Sequence, residues 1–518
     1  MINFFNKRIF VIFIFPLFLG GITVFSFQPF NFFFINFFSL TTLFLLIVYV
    51  KKKSKSIYRK KPFFKNLFIL GTSYGFGFFL LNIHWILYSL TFDDVYIFLI
   101  PFSLILIPLF LSLFFSIPIL LVGNFCEKNL YSILLISISF AFSDFLRNFG
   151  LGGFPWNLWV YSFSWSVESL QILSVIGLFS LNLLAITIFF IPSLFFFKLK
   201  TNYLIICFFI FLVFGNYFYG SYKINSEIQH TNLEKVNFKI VSAGINLNEF
   251  KDEKDVVLKL IKYSEPDKKK KTIFIWPEGV FLNENFKSRK DIKDLFEQNF
   301  SDKHLIIFGA NTSKSSPQKK IYYNSMLLVD KNLNYISKYD KRKLVPFGEF
   351  LPFEDIFKSF GLKKISFGYN SFSKGNNKPV VDLKSYPMNI NFLSLICYEI
   401  IFPNYVNKFS NFNFIINISE DAWFGESIGP HQHFAKAILR SIESGVYTIR
   451  SANKGVSAFI SSNGKILKSL QPDEIGNIEL RIPIQNKSNK QSKKDLIFLL
   501  LLITYIFTIF VLLKIKNK

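Results

Sequence analysis

Phe392 to Cys397 reads Phe-Leu-Ser-Leu-Ile-Cys and runs straight into Tyr398-Glu399. A short apolar run that stops abruptly at polar residues predicts a buried strand with Cys397 at its end. A thiol at a strand end, aimed into a cleft, suits acyl transfer. A buried structural cysteine satisfies the same local pattern, so Cys397 alone decides nothing. Two residues upstream give it a context: Glu278 in Ile275-Trp276-Pro277-Glu278, and Lys341 in Tyr339-Asp340-Lys341. Singly, Glu278 reads as a turn residue and Lys341 as one lysine among many. Together with Cys397 they supply a base, a cation and a nucleophile, the three parts needed to make and attack an acyl thioester.

Around these residues the pattern is α/β. Asn237 to Ile245, Thr272 to Trp276, His304 to Ala310, Ile321 to Val329, Phe392 to Cys397, Phe412 to Ser419 and Val456 to Ile460 are β-branched or aromatic runs that predict strands. Lys254 to Tyr263, Arg289 to Phe300 and His433 to Ser444 predict helices, and Asn463-Gly464 a turn between two strands.

This polar block is fenced by apolar sequence. The 518 residues are 51% hydrophobic and 19% aromatic, with 71 Phe, values that soluble domains rarely reach. With ~20 apolar residues needed per membrane helix, eight spans are expected, near 9–26, 30–50, 64–88, 95–122, 130–147, 167–197, 203–220 and 495–513. The first follows Lys7-Arg8 like a signal peptide, but it lacks a small-residue cleavage site and is expected to be retained. The expected domains are a transmembrane region over 1–220 with seven spans, a catalytic domain over 221–490, and a C-terminal span and tail over 491–518.

The formal charge of +25 raises the possibility of nucleic acid, but much of it flanks the apolar runs, which points to lipid headgroups instead. Lys51-Lys52-Lys53 through Lys65 crowd one loop, Lys198 and Lys200 mark another, and Lys514, Lys516 and Lys518 end the chain. The alternate loops lack such charge, and Asp93-Asp94 is acidic. The positive-inside rule therefore places both termini in the cytoplasm and the polar block outside.

Cys126 lies in a loop and Cys207 in an apolar run, and no Cys-x-x-Cys pattern occurs, so neither a disulfide framework nor a metal site is expected. His431-x-His433 has no evident third ligand, and the absence of Gly-x-Ser-x-Gly argues against a serine triad. Asp144 and Arg147 read as ordinary interface charges.

The segments around the three polar residues make the pattern specific. Ile275 to Glu278 (IWPE), Tyr339 to Glu349 (YDKRKLVPFGE), Ile396 to Glu399 (ICYE), Asp421 to Gly425 (DAWFG) and Gly429 to His433 (GPHQH) resemble the signature blocks of the carbon–nitrogen hydrolase, or nitrilase, superfamily. Leu344 to Glu349 (LVPFGE), Gly153 to Trp156 (GFPW) and the flanking spans narrow the resemblance to the apolipoprotein N-acyltransferase family, over almost the whole chain. The resemblance implies an αββα sandwich outside the membrane, with Glu278, Lys341 and Cys397 as catalytic triad. It also implies Asn324, Glu349, Tyr398 and Glu399 as supporting residues, and no metal or other cofactor. The implied reaction passes an acyl chain from a phospholipid to Cys397 and then to the α-amino group of a diacylglyceryl-modified apolipoprotein. The enzyme is expected to be a monomer in the bacterial inner membrane with its catalytic domain on the periplasmic side, and without a nucleic-acid partner.

Two departures stand out: Glu420 occupies the place where the family block usually carries Asn, and Ala435-Lys436-Ala437 is a loose match to the following helix. Phe357 to Phe372, apolar and broken by Gly361 and Gly368, is expected either to pack as core or to form a lid facing lipid, with Lys363-Lys364 near phosphate. Two other functions fit parts of the pattern. A tethered amidase would share the triad but would leave the LVPFGE block and the spans without a purpose. A transporter with an outer binding domain would show several paired intramembrane charges, and the spans hold few.

Overall fold

The structure, a computed structural model, describes residues 8–57, 61–149, 153–197, 201–226, 233–246, 252–315, 320–355, 364, 371–383, 390–484 and 493–516. It separates into two compact units, Met1–Ser226 with Lys493–Lys518, and Glu227–Ser492. Apart from Lys364, Ser371 and Phe372, the segment expected as a lid lies outside the described residues, including Phe360 and Phe367.

Among the described residues of the first unit seven helices are long and apolar enough to cross a membrane: Phe34–Lys53, Phe63–Phe92, Asp94–Val122, Leu130–Arg147, Leu178–Phe196, Asn202–Asn225 and Lys494–Lys516. The expected eight spans become seven among the described residues, and the start of another moves. Phe10–Ser26 is a shorter apolar helix; at ~1.5 Å per residue it reaches about 25 Å, below the ~30 Å of a hydrocarbon core. The span expected over 167–197 is broken, with short helices Val167–Leu170 and Leu173–Ile176 ahead of Gly177. Gly177 has φ +78°, and a Cβ there would lie 2.6 Å from the Lys494 side chain. Only glycine takes that backbone at that distance from the last helix.

Asp144 and Arg147 also depart from expectation. They are buried rather than interfacial: Arg147 Nη2 donates to Asp144 Oδ1 at 2.8 Å, and Asn182 Nδ2 to Asp144 Oδ2 at 2.9 Å. Arg147 Nη1 donates to the Phe154 carbonyl at 2.8 Å, so the pair ties two helices to the Gly153 to Trp156 segment. A charge in a membrane protein persists where it is paired and hydrogen-bonded in this way.

The second unit holds two six-stranded sheets. In chain order the strands are β1 (Lys235–Ser242), β2 (Thr272–Ile275), β3 (His304–Ser315), β4 (Lys320–Val329), β5 (Tyr335–Asp340), β6 (Val380–Asp382), β7 (Asn391–Ile396), β8 (Phe414–Glu420), β9 (Tyr447–Asn453), β10 (Ser457–Ile460), β11 (Ile466–Leu470) and β12 (Gly476–Pro483). One sheet runs β12-β1-β2-β3-β4-β5 and the other β11-β10-β9-β8-β7-β6. The central strands of each, β1-β2-β3 and β7-β8-β9, are parallel and almost wholly buried, which is why they read as continuous apolar runs.

The sheets face each other, with Phe238 of β1 edge-on to Phe414 of β8 at 5.3 Å. Helices Glu253–Ser264 and Lys290–Asn299 cover the outer face of the first sheet: Val257, Leu260, Phe296 and Phe300 pack with Trp276, Ile306 and Phe308. Helix Gly429–Ser444 covers the second, joined to β9 by Ser441 Oγ donating to Thr448 Oγ1 at 2.6 Å. The architecture is the αββα sandwich.

Candidate active site

Glu278, Lys341, Cys397, Tyr398 and Glu399 lie just beyond strand ends in this unit, Asn324 lies within β4, and Glu349 lies in the loop after β5. β2 ends at Ile275, and Trp276 then buries its ring against Phe296 while its Nε1 donates to Ser264 Oγ at 2.9 Å. That anchor carries Pro277-Glu278 across β3, where a Cβ on Gly309 would stand 2.6 Å from the Glu278 Cα. Gly309 is the residue that lets the Glu278 backbone lie this low on the sheet. Lys341 follows β5, its backbone N–H bonded to the Asn324 carbonyl of β4 at 2.8 Å. Cys397 follows β7 with φ +48°. A non-glycine residue in that conformation is strained, and such strain gathers at functional sites.

The side chains converge. Asn324 Nδ2 donates to Glu278 Oε1 and to Glu349 Oε1, both at 2.7 Å. Lys341 Nζ lies 3.0 Å from Glu349 Oε1 and 3.5 Å from Glu278 Oε1. Glu349 Oε2 accepts the Val345 N–H at 2.9 Å, closing the Leu344 to Glu349 loop on itself. Glu278 Oε2 accepts the Glu420 N–H at 2.9 Å. One ammonium therefore sits between two carboxylates, all three buried. Although burial opposes it, Glu278 and Glu349 raise the Lys341 ammonium above the ordinary lysine value, so it stays charged.

Cys397 shares this electrostatic environment with Glu278 and Lys341. Burial, Glu278 and Asp421 push the thiol up, against the pull of Lys341 and Ser419. A neighbouring ammonium on its own favours a thiolate, and here burial and the two carboxylates outweigh it. The resting group is the thiol, and a base must remove its proton.

Glu399 is a clamp. Its Oε1 accepts from Tyr339 Oη at 2.7 Å, the Arg342 N–H at 2.9 Å and the Lys343 N–H at 3.0 Å, while Oε2 accepts the Ile396 N–H at 2.9 Å. It joins the chain after Lys341 to the chain before Cys397. Burial pushes its carboxyl up, and these donors oppose that shift. Glu399→Gln can match the three donors at one oxygen, but its amide then meets the Ile396 N–H, donor against donor. We expect a loss of ~1–3 kcal/mol in stability and slower reaction of Cys397. A thermal midpoint and a thiol-labelling rate on the same variant check it. Tyr398 is buried with its ring 5.0 Å from Phe402, flanking the cysteine.

A further polar layer joins this site that sequence reading did not assign to it. Asp421 Oδ2 receives Arg450 Nη2 at 2.7 Å, and Asp421 Oδ1 receives Ser419 Oγ at 2.6 Å and lies 3.0 Å from His433 Nδ1. Burial and Arg450 press His433 down to about 4, which leaves it neutral and occupied with Asp421. Arg450 Nη1 also bonds Asn417. Asn453 Nδ2 reaches Glu420 Oε1 at 2.9 Å. The blocks Asp421 to Gly425 and Gly429 to His433, with Glu420 beside the first, were the signals that pointed to this layer.

The carbon–nitrogen hydrolase family model matches residues 295–486, a range that includes Lys341 and Cys397 and begins beyond Glu278. The model described as the apolipoprotein N-acyltransferase N-terminal domain matches residues 19–191. The chain is 32% identical over 425 residues to the apolipoprotein N-acyltransferase of Rickettsia prowazekii (strain Madrid E), covering 80% of this chain and 82% of that relative. It is 30% identical over 486 residues to that of Rhizobium leguminosarum bv. trifolii (strain WSM2304), covering 89% and 88%. Among solved structures it is similar to Saccharomyces cerevisiae Nit3, a member of branch 10 of the nitrilase superfamily, at 17% identity and a TM-score of 0.35, over 48% of this chain and 90% of that one.

Proposed function

Because the chain belongs to the apolipoprotein N-acyltransferase family, we propose that it moves an acyl chain from a membrane phospholipid to the N-terminal amine of a diacylglyceryl-modified apolipoprotein through a thioester on Cys397. The observation that carries the mechanism is Lys341 Nζ set 3.5 Å from Glu278 Oε1 in the electrostatic field of a strained, buried Cys397. Glu278 takes the thiol proton as sulfur attacks the ester carbonyl. The Lys341 ammonium and a backbone N–H at the end of β7 hold the oxyanion. Collapse breaks the ester C–O bond, and the lysophospholipid oxygen leaves with the proton from Glu278. In the second half the neutral amine attacks the thioester, Glu278 takes the surplus amine proton, and the C–S bond breaks as that proton passes to sulfur, regenerating the thiol and the Glu278 carboxylate. Neither water nor an amine attacks an ester quickly at neutral pH, and the thioester divides that barrier in two. The chain's own groups suffice, with no metal or cofactor, and a monomer carries the whole triad.

Intact-mass analysis after mixing the protein with phospholipid tests this reading. An acyl-sized, hydroxylamine-labile adduct on Cys397 is expected, and its absence would overturn the covalent route.

Charge supports the reading that the catalytic unit lies on the periplasmic side of the bacterial inner membrane. Lys51 lies 3.8 Å from Glu127 and Lys516 lies 2.9 Å from the same carboxylate, so three chain segments share one end of the helical unit. That end holds the lysine-rich loop after Phe34–Lys53 and the C-terminal tail, and the positive-inside rule makes it cytoplasmic. Counting crossings from Phe34 then supports an outer position for Glu227–Ser492, whatever the short helix Phe10–Ser26 does. A membrane-impermeant thiol probe is expected to label a cysteine introduced at Ser315 but not one at Ser54. The reverse pattern would invert the orientation.

A further inference from the structure

We propose that Glu420 is a positioning residue for Glu278, a buried carboxylic acid that keeps its own proton so that Glu278 can act as the base. This rests on the reading of Glu278 as general base. The geometry ties the two closely: the Glu420 N–H donates to Glu278 Oε2 at 2.9 Å. The Glu420 side chain in turn fixes that peptide, with Oε1 accepting the Ala422 N–H at 3.1 Å. Asn453 Nδ2 spans both carboxyl oxygens at 2.9 and 3.0 Å. Asn453 is itself locked, since its Oδ1 accepts the Ile245 N–H and its Nδ2 donates to the Ile245 carbonyl, each at 2.8 Å. The end of β8 is thus bolted through β9 to the chain after β1, and the bolt holds one oxygen of Glu278.

The charges around the two carboxyls differ. Glu278 faces the Lys341 ammonium and accepts from Asn324. Glu420 is 6% exposed, and among the described residues its hydrogen-bond partners are an amide and a backbone N–H, with no cation. The charged groups facing it are Glu278, from the chain after β2, and Asp421, next along its own chain. Arg450 on β9 is ion-paired with Asp421, and neutral His433 on helix Gly429–Ser444 lies against the same carboxylate. Burial raises the Glu420 carboxyl well above its ordinary value, and Glu278 and Asp421 add to this against Asn453 and Ala422. When two neighbouring carboxyls cannot both ionise, the one beside the ammonium takes the charge. The Asn usual at this position in the family block would be neutral without a proton; Glu420 reaches neutrality by holding one, which makes it titratable.

The test uses the full-length protein in detergent, with Glu420→Gln and Glu420→Asn as neutral replacements. Infrared spectra at neutral pH should show a protonated-carboxyl C=O band in the parent that both variants lose. The rate of thioester formation from phospholipid, followed against pH, should fall in the parent on the alkaline side as Glu420 ionises. In the variants that fall should move up by at least about one pH unit while the neutral rate is largely kept. Three results would each overturn the proposal: no such band in the parent, superimposable pH profiles, or loss of the neutral rate in both variants. A parent that forms no thioester sinks the acyl-enzyme route instead, and the infrared comparison still decides where the proton sits.

Discussion

Cys397→Ser is expected to yield a folded, membrane-inserted protein that accumulates no acyl-enzyme and loses turnover by at least about a thousandfold, the scale seen when a nucleophile is removed from a unit that acts together. The substitution is nearly isosteric and leaves the φ +48° strand end in place, so a thermal midpoint close to that of the parent should accompany the loss. What disappears is the acidity and softness of sulfur. A serine hydroxyl needs a strong base at hydrogen-bond range, and the buried histidine of this layer, His433, is neutral and spent on Asp421. Glu278 can take a proton from a thiol far more readily than from an alcohol, because the thiol is the stronger acid. Turnover of phospholipid, the adduct mass and the thermal midpoint, measured together, separate a chemical defect from a folding one. Near-normal turnover with an intact fold would remove Cys397 from the mechanism.

What could be read in advance follows from which interactions are local. β7 was legible because its apolar run is continuous and its end is marked by Cys397-Tyr398-Glu399. β9 was not: Tyr447–Asn453 carries Arg450, Ser451 and Asn453, polar residues that argue against a buried strand until their partners Asp421, Asn417 and Glu420 are brought in by the tertiary fold. β5 was hidden by its half-exposed polar alternation. The span expected over 167–197 starts later, at Leu178, because hydropathy averages over Gly177 and cannot see the backbone turn it permits. The protonation of the Cys397 thiol was not legible in the sequence, because the burial and the two carboxylates that outweigh one ammonium are assembled only by the fold. Resemblance blocks located Glu278, Lys341, Glu349 and Glu399, yet nothing local showed that Asn324 would bridge two of those carboxylates or that Glu399 would hold both flanks of the site together.

The sharpest test of the proposed division of labour is that Glu278→Gln and Lys341→Ala should agree on acylation and disagree on thiol reactivity. Both are expected to stop acyl-enzyme formation. Loss of a general base removes ~10²–10⁴-fold, and loss of an oxyanion donor ~10²–10³-fold. Their effects on Cys397 have opposite signs, because Glu278 pushes the thiol up and Lys341 pulls it down. Glu278→Gln should therefore make Cys397 react faster with a small water-soluble alkylating reagent at neutral pH, even though phospholipid acylation is lost. Lys341→Ala should slow the same labelling. Stability should divide in the same way. Without Lys341 the buried carboxylates Glu278 and Glu349 face each other across Asn324 with no ammonium between them, and breaking a buried pair from one side costs ~3–5 kcal/mol. Without the Glu278 charge, Lys341 keeps Glu349 at 3.0 Å and the fold should hold. Acylation, alkylation rate and thermal midpoint on each variant make the comparison complete. If Glu278→Gln slowed alkylation, or if either variant formed thioester at the parent rate, the assignment of base and cation would be wrong.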